Sequence, residues 1–272
     1  MANAWIIKPL TPIGFTGSTA AAVGSPANTA NDFAGVIWTS TAQTYPTAIE
    51  LRFDLGSDQP IDTIALFGVK TAPADAKMRV LLATEAQGNF TGPYWMSDEQ
   101  DLYAGSAMPA NGQGTALWSA APSAGGTPPA AARYVDIYFY KGAATISATV
   151  SRLVIGKRIE LERNFAFGAG FGVKDLGSLD FSARAVLMRR RAKKLRTVSL
   201  TFSNIHKDEV ESLTKPLLEQ IGNTEMVAVI TDPIADAQRQ NRCYFGPLVG
   251  DLGHTWRKAD AFEAKANVVS IF

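Results

Sequence analysis

Cysteine and histidine are nearly missing from this chain of 272 residues: there is one Cys, Cys243, and only His206 and His254. A single thiol excludes an internal disulfide framework and any metal site built from several cysteines. His206 stands beside an expected helix start and His254 in an expected turn, so both suit capping or exposed roles better than general-base catalysis. No HExxH, GxSxG or Walker pattern occurs. No catalytic, cofactor-binding or metal-binding residue is therefore assigned, and no enzyme activity is expected. Charge is scarce too, at 19% against 46% apolar residues, a globular composition that leaves surface for interfaces. No apolar run reaches the roughly 18 residues that a membrane-spanning helix needs. The opening MANAWIIKPL has no basic region, apolar stretch and cleavage site in series. The expected setting is a reducing compartment, with escape by lysis.

Net charge is only +1, but it is unevenly spread. Residues 1–155 hold 8 Lys+Arg and 11 Asp+Glu, residues 156–272 hold 18 and 14, so the two parts stand at −3 and +4. A domain boundary near 155 follows. Residues 1–48 are rich in Ala, Thr, Ser, Gly and Asn, broken by Pro9, Pro12, Pro26 and Pro46. Alternation then marks strands at 49–55, 61–69 and 78–83, with a turn expected at 56–60. The clearest strand is 132–140, ARYVDIYFY, and 144–155 is its expected partner. Strands punctuated by turns, without a convincing helix, predict a β-sandwich or jelly roll over 1–155. The long 90–126 segment carries Tyr94, Trp95 and Trp118, aromatics able to stack on sugar rings if exposed. Its acidic run Ser97–Asp101 lacks the loop spacing of a Ca2+ motif.

In the second part, Phe165, Phe167 and Phe171 alternate with Gly168, Gly170 and Gly172. A phosphate loop would need a preceding strand, a following helix and a Gly-Lys-Ser/Thr ending, so these residues read as an arm that docks on a neighbour. Arg184, Arg189, Arg190, Arg191, Lys193, Lys194 and Arg196 follow with no acid among them. Such clustering suits nucleic acid, a solvated hairpin or acidic neighbours, and no sequence-reading motif accompanies it. Residues 195–230 spell strand, helix, strand: LRTVSLTF alternates, Asn204 is an expected cap, and Val210, Leu213, Leu217 and Ile221 share a face. Pro216 predicts a kink or break, and Gly222-Asn223 the helix end. Strands are also expected at 242–249 and 259–271, with Cys243 in the core. The fold class is therefore mainly β: a jelly roll, then an antiparallel sandwich or sheet with one packed helix.

Two family resemblances sharpen this. LRFDLGSDQPIDTIALFGV (51–69), with Trp38 upstream and ARYVDIYFY and VSRLVIG (150–156) downstream, resembles the discoidin, or galactose-binding-like, jelly roll. That implies end loops that bind sugar, although no counterpart of that family's Ser-x-Asp-Gly strand before a Trp is present. RRRAKKLRTVSLTFSNI (189–205), DEVESLTKPLLEQIG (208–222), MVAVITDP (226–233) and YFGPLVGDL (244–252) resemble the tail-tube-like ring domain of bacteriophage distal tail proteins, here placed second rather than first. This resemblance implies a structural virion protein of a tail tip or baseplate, assembled in the host cytoplasm. It would form a ring, trimer or hexamer, between tail tube and tail-hub proteins, with no membrane and no specific nucleic acid as partner. Phe165, Phe167, Phe171, Arg189, Arg190, Arg191, Lys193 and Lys194 are the candidate self-assembly residues. The alternative is a carbohydrate-binding adhesion module for host saccharide, using Tyr94, Trp95 and Trp118. A polysaccharide hydrolase would need a carboxylate pair in a cleft.

Overall fold

The computed structural model describes residues 2–16, 19–142, 144–250 and 253–272; Asp251 and Leu252, at the end of the closing 244–252 run, lie outside them. The fold is mainly β, with antiparallel pairing and, among the described residues, one helix longer than a short 3-10 turn, Lys207–Ile221. Four sheets carry the architecture. The first orders strands Gln100–Asp101, Lys77–Ala83, Ala131–Tyr140, Ile49–Pro60 and Gly14–Thr16, with Trp95–Met96 beside Lys77–Ala83. The second is Gly114–Ser119, Thr63–Val69 and Arg152–Gly156. The third joins Arg158–Glu160, Trp5–Ile7, Met226–Ile230 and Cys243–Pro247. The fourth is Gly170–Asp175, Lys194–His206, Ala261–Val269 and His254–Lys258.

Alternation within single strands shows how the sheets stack. In the second sheet, Ile64 and Leu66 face a core shared with Leu51, Phe53, Val80 and Ile137 of the first, whereas Ala65 and Phe67 face the third. In the third, Ala228, Ile230, Cys243 and Phe245 meet Phe67 and Val154, while Val227, Val229 and Tyr244 turn the other way. They meet Val198, Leu200 and Phe202 of the fourth sheet and Val210, Leu217 and Ile221 of the helix. Both inner sheets are thus buried on both faces, so their strands read as continuous apolar runs. Phe67 packs on Phe245 and Phe272 with ring centroids 5.4 and 6.0 Å away. Polar contacts join the same seam. Arg239 Nε donates to the Ala104 carbonyl at 2.7 Å, and the Thr115 amide donates to Gln240 Oε1 at 2.9 Å.

Several local expectations are corrected. Trp5–Ile7 pairs with Arg158–Glu160 and Met226–Ile230, so the chain's first strand crosses the boundary expected near 155. Residues 144–155 are not the partner of 132–140. Arg152–Gly156 pairs with Thr63–Val69 in the opposite sheet, and Ala131–Tyr140 lies between Ile49–Pro60 and Lys77–Ala83. The expected turn at 56–60 remains strand, because an irregularity opposite Ala132/Tyr134 absorbs Gly56, whose φ is +83°. Asn204 is not the helix cap; it takes φ +57° at a bulge and the strand continues to His206, which precedes the first helical turn. At Pro216 the helix changes segment as one of the two expectations had it: a π turn over Val210–Thr214 ends just before it and the proline falls in the first turn of Lys215–Ile221. His254 is in a strand rather than a turn.

Phe67→Ala removes a wholly buried ring from the seam between the second and third sheets. The expected loss is about 3–5 kcal/mol of unfolding free energy. Urea denaturation followed by fluorescence should show one transition in the parent chain, since the seam couples both sandwiches, and a lower midpoint or a split transition in the variant.

Candidate functional site

The outer face of the first sheet carries a groove of about 890 Å3, within the range of ligand sites. Its floor is set by strand register. Glu50, Tyr138 and Arg79 form one row across three strands, and Tyr140 and Lys77 stand two residues further along. Tyr45 and Pro46 flank it on one side and Met96 and Glu99 on the other. The Tyr140 hydroxyl donates to Glu99 Oε2 at 2.7 Å. Burial, with the acids Asp136 and Glu50, pushes the Tyr138 phenol up to about 12, and burial with the Glu99 hydrogen bond does the same for Tyr140. Both remain hydroxyl donors at neutral pH. Lys77 is paired with Asp101 at 2.6 Å and Lys141 with Asp75 at 2.8 Å.

Beside the floor, Arg52 donates through Nε and Nη2 to Asp136 Oδ2 at 3.0 and 2.8 Å and also pairs with Glu50. Its guanidinium covers the Phe90 ring at 4.7 Å. Desolvation, then a hydrogen bond with Glu50 and its charge, push the Asp136 carboxyl up to about 8 against the opposing pull of Arg52. Glu50, Asp75 and Glu99 are the carboxyls that line the groove, each held by a partner: Glu50 by Arg52, Asp75 by Lys141 and Glu99 by the Tyr140 hydroxyl. The Asp136 side chain is 0% exposed, so it cannot reach a glycosidic bond and serves as a support beside the floor.

The aromatics expected to stack on sugar separate. Trp95 and Trp118 are buried in the core between the first and second sheets, rings 5.8 Å apart, and Trp95 Nε1 donates to the Gly126 carbonyl at 2.9 Å. Their apolar bodies are used inside, so they are not stacking surfaces. Tyr94 is half exposed and packs edge-on against Phe90, 5.6 Å away. The residues that line the groove instead, Tyr138 and Tyr140, lie in the 132–140 strand, on the face away from the core residues Ile137 and Phe139. The acidic run near Asp98 is occupied by local partners: Asp101 by Lys77, Glu99 by Tyr140, and Asp98 Oδ1 by the Ala124 amide. His254 Nε2 lies 2.6 Å from Thr214 Oγ1, and burial plus Lys215 lower its pKa, so it stays neutral in a structural contact. Cys243 is buried, and desolvation raises its thiol to about 12.

The candidate self-assembly residues also separate. Gly170–Asp175, Ser178–Phe181 and Leu187–Arg190 form an arm in which every residue is exposed. Phe167, Phe171, Val173, Leu179, Phe181 and Leu187 hold large apolar surfaces to solvent. Register puts Leu179, Phe181, Leu187 and Arg189 on one face of the hairpin. Phe165 does not belong with them; it packs edge-on against Phe202, 6.4 Å away, on the chain's own core. Arg196 leaves the basic cluster, its guanidinium donating to the carbonyls of Asn241, Cys243 and Phe272 and lying 4.9 Å over Tyr244. Lys193 donates to the Ile271 carbonyl at 2.7 Å. Among the described residues, none of Arg189, Arg190, Arg191, Lys193 and Lys194 forms an ion pair.

The fold and its groove define a β-sandwich protein with a jelly-roll first half. No protein-family model matches the sequence, and no curated protein matches it. Among solved structures, chitosan-binding module 1 of a chitosanase/glucanase from Paenibacillus sp. IK-5 shares 12% identity over 55% of this chain and 98% of its own, TM-score 0.39. The family 32 CBM from C. perfringens NanJ in complex with galactose shares 11% over 57% and 99%, TM-score 0.39. The lectin domain of lectinolysin complexed with Lewis B antigen shares 13% over 53% and 92%, TM-score 0.35.

Asp136 gives a pH signature. Its carboxyl titrates near 3.8 unfolded and near 8 folded, so between those values the folded chain holds an extra proton. This group's contribution makes stability fall as pH rises from about 4 to about 8. Asp136→Asn should remove that slope, seen as a difference between parent and variant urea midpoints across this range. An unchanged difference at every pH would show that the proton resides elsewhere.

Proposed function

We propose that this chain is a non-enzymatic structural protein of a bacteriophage tail tip, forming a ring that joins the tail tube to the host-adhesion apparatus. The arm carries the proposal. A soluble monomer rarely holds a contiguous row of Phe, Leu and Val in water, and such surface marks an interface. Leu179, Phe181 and Leu187 give the arm an apolar face, and Arg189, Arg190, Arg191 and Lys194 give it charge that acidic neighbours complement. Both end strands of the fourth sheet, Gly170–Asp175 and His254–Lys258, are edges. A sheet with two open edges allows head-to-tail contacts that close into a ring when the rotation permits. The tail setting itself rests on the family resemblance of residues 189–252.

Light scattering over a wide concentration range tests the assembly. The parent chain should give a discrete closed oligomer, trimer or hexamer. Leu179→Ser with Phe181→Ser and Leu187→Ser should give a monomer with unchanged circular dichroism. An oligomer that survives these changes would place the contact elsewhere, and a parent monomer at every concentration would count against self-assembly in the absence of a tail.

A second reading, a carbohydrate-binding adhesion module, is favoured by the groove, which combines exposed aromatic surface at Tyr45 with the phenols of Tyr138 and Tyr140 and flanking charges. Sugar rings offer apolar faces and hydroxyl edges, and tyrosine suits both. A glycan array probed with the intact protein should give signals that Tyr45→Ala weakens while Trp118→Ala, if folded, retains the groove's specificity. A blank array would remove this reading.

A further inference from the structure

The groove has one cation that its neighbours leave unneutralised. Lys77, Lys141 and Arg52 each meet a carboxylate, at Asp101, Asp75 and Glu50 respectively. Arg79, in the middle of the floor, forms no ion pair among the described residues. Its Nη1 lies 3.9 Å from the Met96 sulfur, a weak acceptor, its guanidinium stands 6.0 Å from the centre of the Tyr140 ring, and it acts on the Tyr140 hydroxyl, a neutral partner that leaves its charge uncompensated. Its Nε is buried without a hydrogen-bond partner. The nearby acids are engaged otherwise, Glu99 by the Tyr140 hydroxyl and Glu50 by Arg52. A planar guanidinium with unfilled donors matches a carboxylate, which accepts two parallel hydrogen bonds. The side chain is half-buried, so an incoming acceptor reaches the guanidinium through its Nη donors and makes there the charge-assisted hydrogen bonds that the chain itself does not supply.

We infer that the groove on the outer face of the first sheet binds an acidic saccharide, with the sugar's carboxylate on Arg79 and its ring and hydroxyls against Tyr138, Tyr140 and Tyr45. The inference rests on the saccharide-binding reading above and adds both ligand class and place. The site is on the sheet face between the 45–48 loop and Met96–Glu99, rather than at the end loops that the jelly-roll resemblance implies. The strand register supports it: Arg79 is directly opposite Tyr138, and Tyr140 lies two residues further, about 7 Å along the strand. One sugar unit held by its carboxylate at Arg79 therefore has aromatic and hydroxyl contacts within its own length. The network of Arg52, Glu50 and the wholly buried Asp136 fixes the floor beside it.

The test uses the full chain on an array of uronate-bearing, sialate-bearing and neutral glycans, followed by calorimetric titration with oligogalacturonate and a neutral galacto-oligosaccharide of equal length. Signals should concentrate on carboxylate-bearing glycans, and oligogalacturonate should bind at least about tenfold tighter than the neutral chain. Arg79→Ala should abolish that preference, and Arg79→Lys should restore only part of it because it keeps the charge without the fork. Thermal midpoints of both variants establish that they fold. Tyr45→Ala changes an exposed ring and should weaken both saccharides without altering their ratio. Binding of neutral glycans alone, or an acidic preference untouched by Arg79→Ala in a folded variant, overturns the inference and leaves the saccharide reading standing. An array blank for every class removes both.

Discussion

The strands Thr63–Val69 and Met226–Ile230 must each satisfy two apolar cores at once, and the rest of the molecule is arranged around that requirement. A sheet covered on one face tolerates polar residues every second position; these two do not. Ala65 and Phe67 look one way and Ile64 and Leu66 the other, and the same split recurs at Val227 and Ala228. Close approach is part of the cost. A Cβ at Gly246 would collide with the Val269 carbonyl, so the third and fourth sheets meet there only through glycine. The two sandwiches are consequently fused by side chains rather than tethered by a linker, and groove and arm are held on one body.

The arm belongs to that body only at its base. Lys193 and Arg196 donate to main-chain carbonyls of residues 241, 243, 271 and 272, which anchors the root of the strand that leaves the sandwich. Beyond them, nothing among the described residues covers Leu179, Phe181 or Leu187. Basic residues close together in sequence therefore divide by their distance from this root: Arg196 works as an internal tie and Arg189 to Arg191 as surface. The groove shows a comparable division. Arg52 and Arg79 lie on strands either side of Ala131–Tyr140, yet one is enclosed by acids and the other, among the described residues, meets a sulfur and the Tyr140 phenol but no carboxylate.

Strand positions and the helix were legible in the sequence because period-two alternation and the spacing of Val210, Leu217 and Ile221 are local signals. Pairing was less so. The 144–155 run looked like the partner of 132–140 by proximity, but a jelly roll sends the chain across to the opposite sheet, and alternation carries no information on which strand lies alongside. Trp95 and Trp118 sat among Gly, Ser and Pro, a context typical of exposed loops, and only tertiary packing shows that the 90–126 segment folds them into the core. Tyr138, Tyr140 and Arg79 alternate with core residues in two well-marked strands. Their side was readable; their convergence into one groove depended on a register that no single strand encodes. Arg79's lack of a carboxylate partner among the described residues was equally invisible, since pairing of the other cations is decided in space.

Trp5–Ile7 lies between strands whose residues come more than 150 and 220 positions later. During synthesis this segment emerges well before both of its partner strands and stays unpaired until residue 230 has followed. Its apolar residues, together with the doubly apolar strand 63–69, must stay soluble through that interval, which is the situation in which collapsed intermediates aggregate. Pairing over such separations also makes folding slow. Refolding yield should therefore be governed less by final stability than by how well the early-made strands are shielded while they wait.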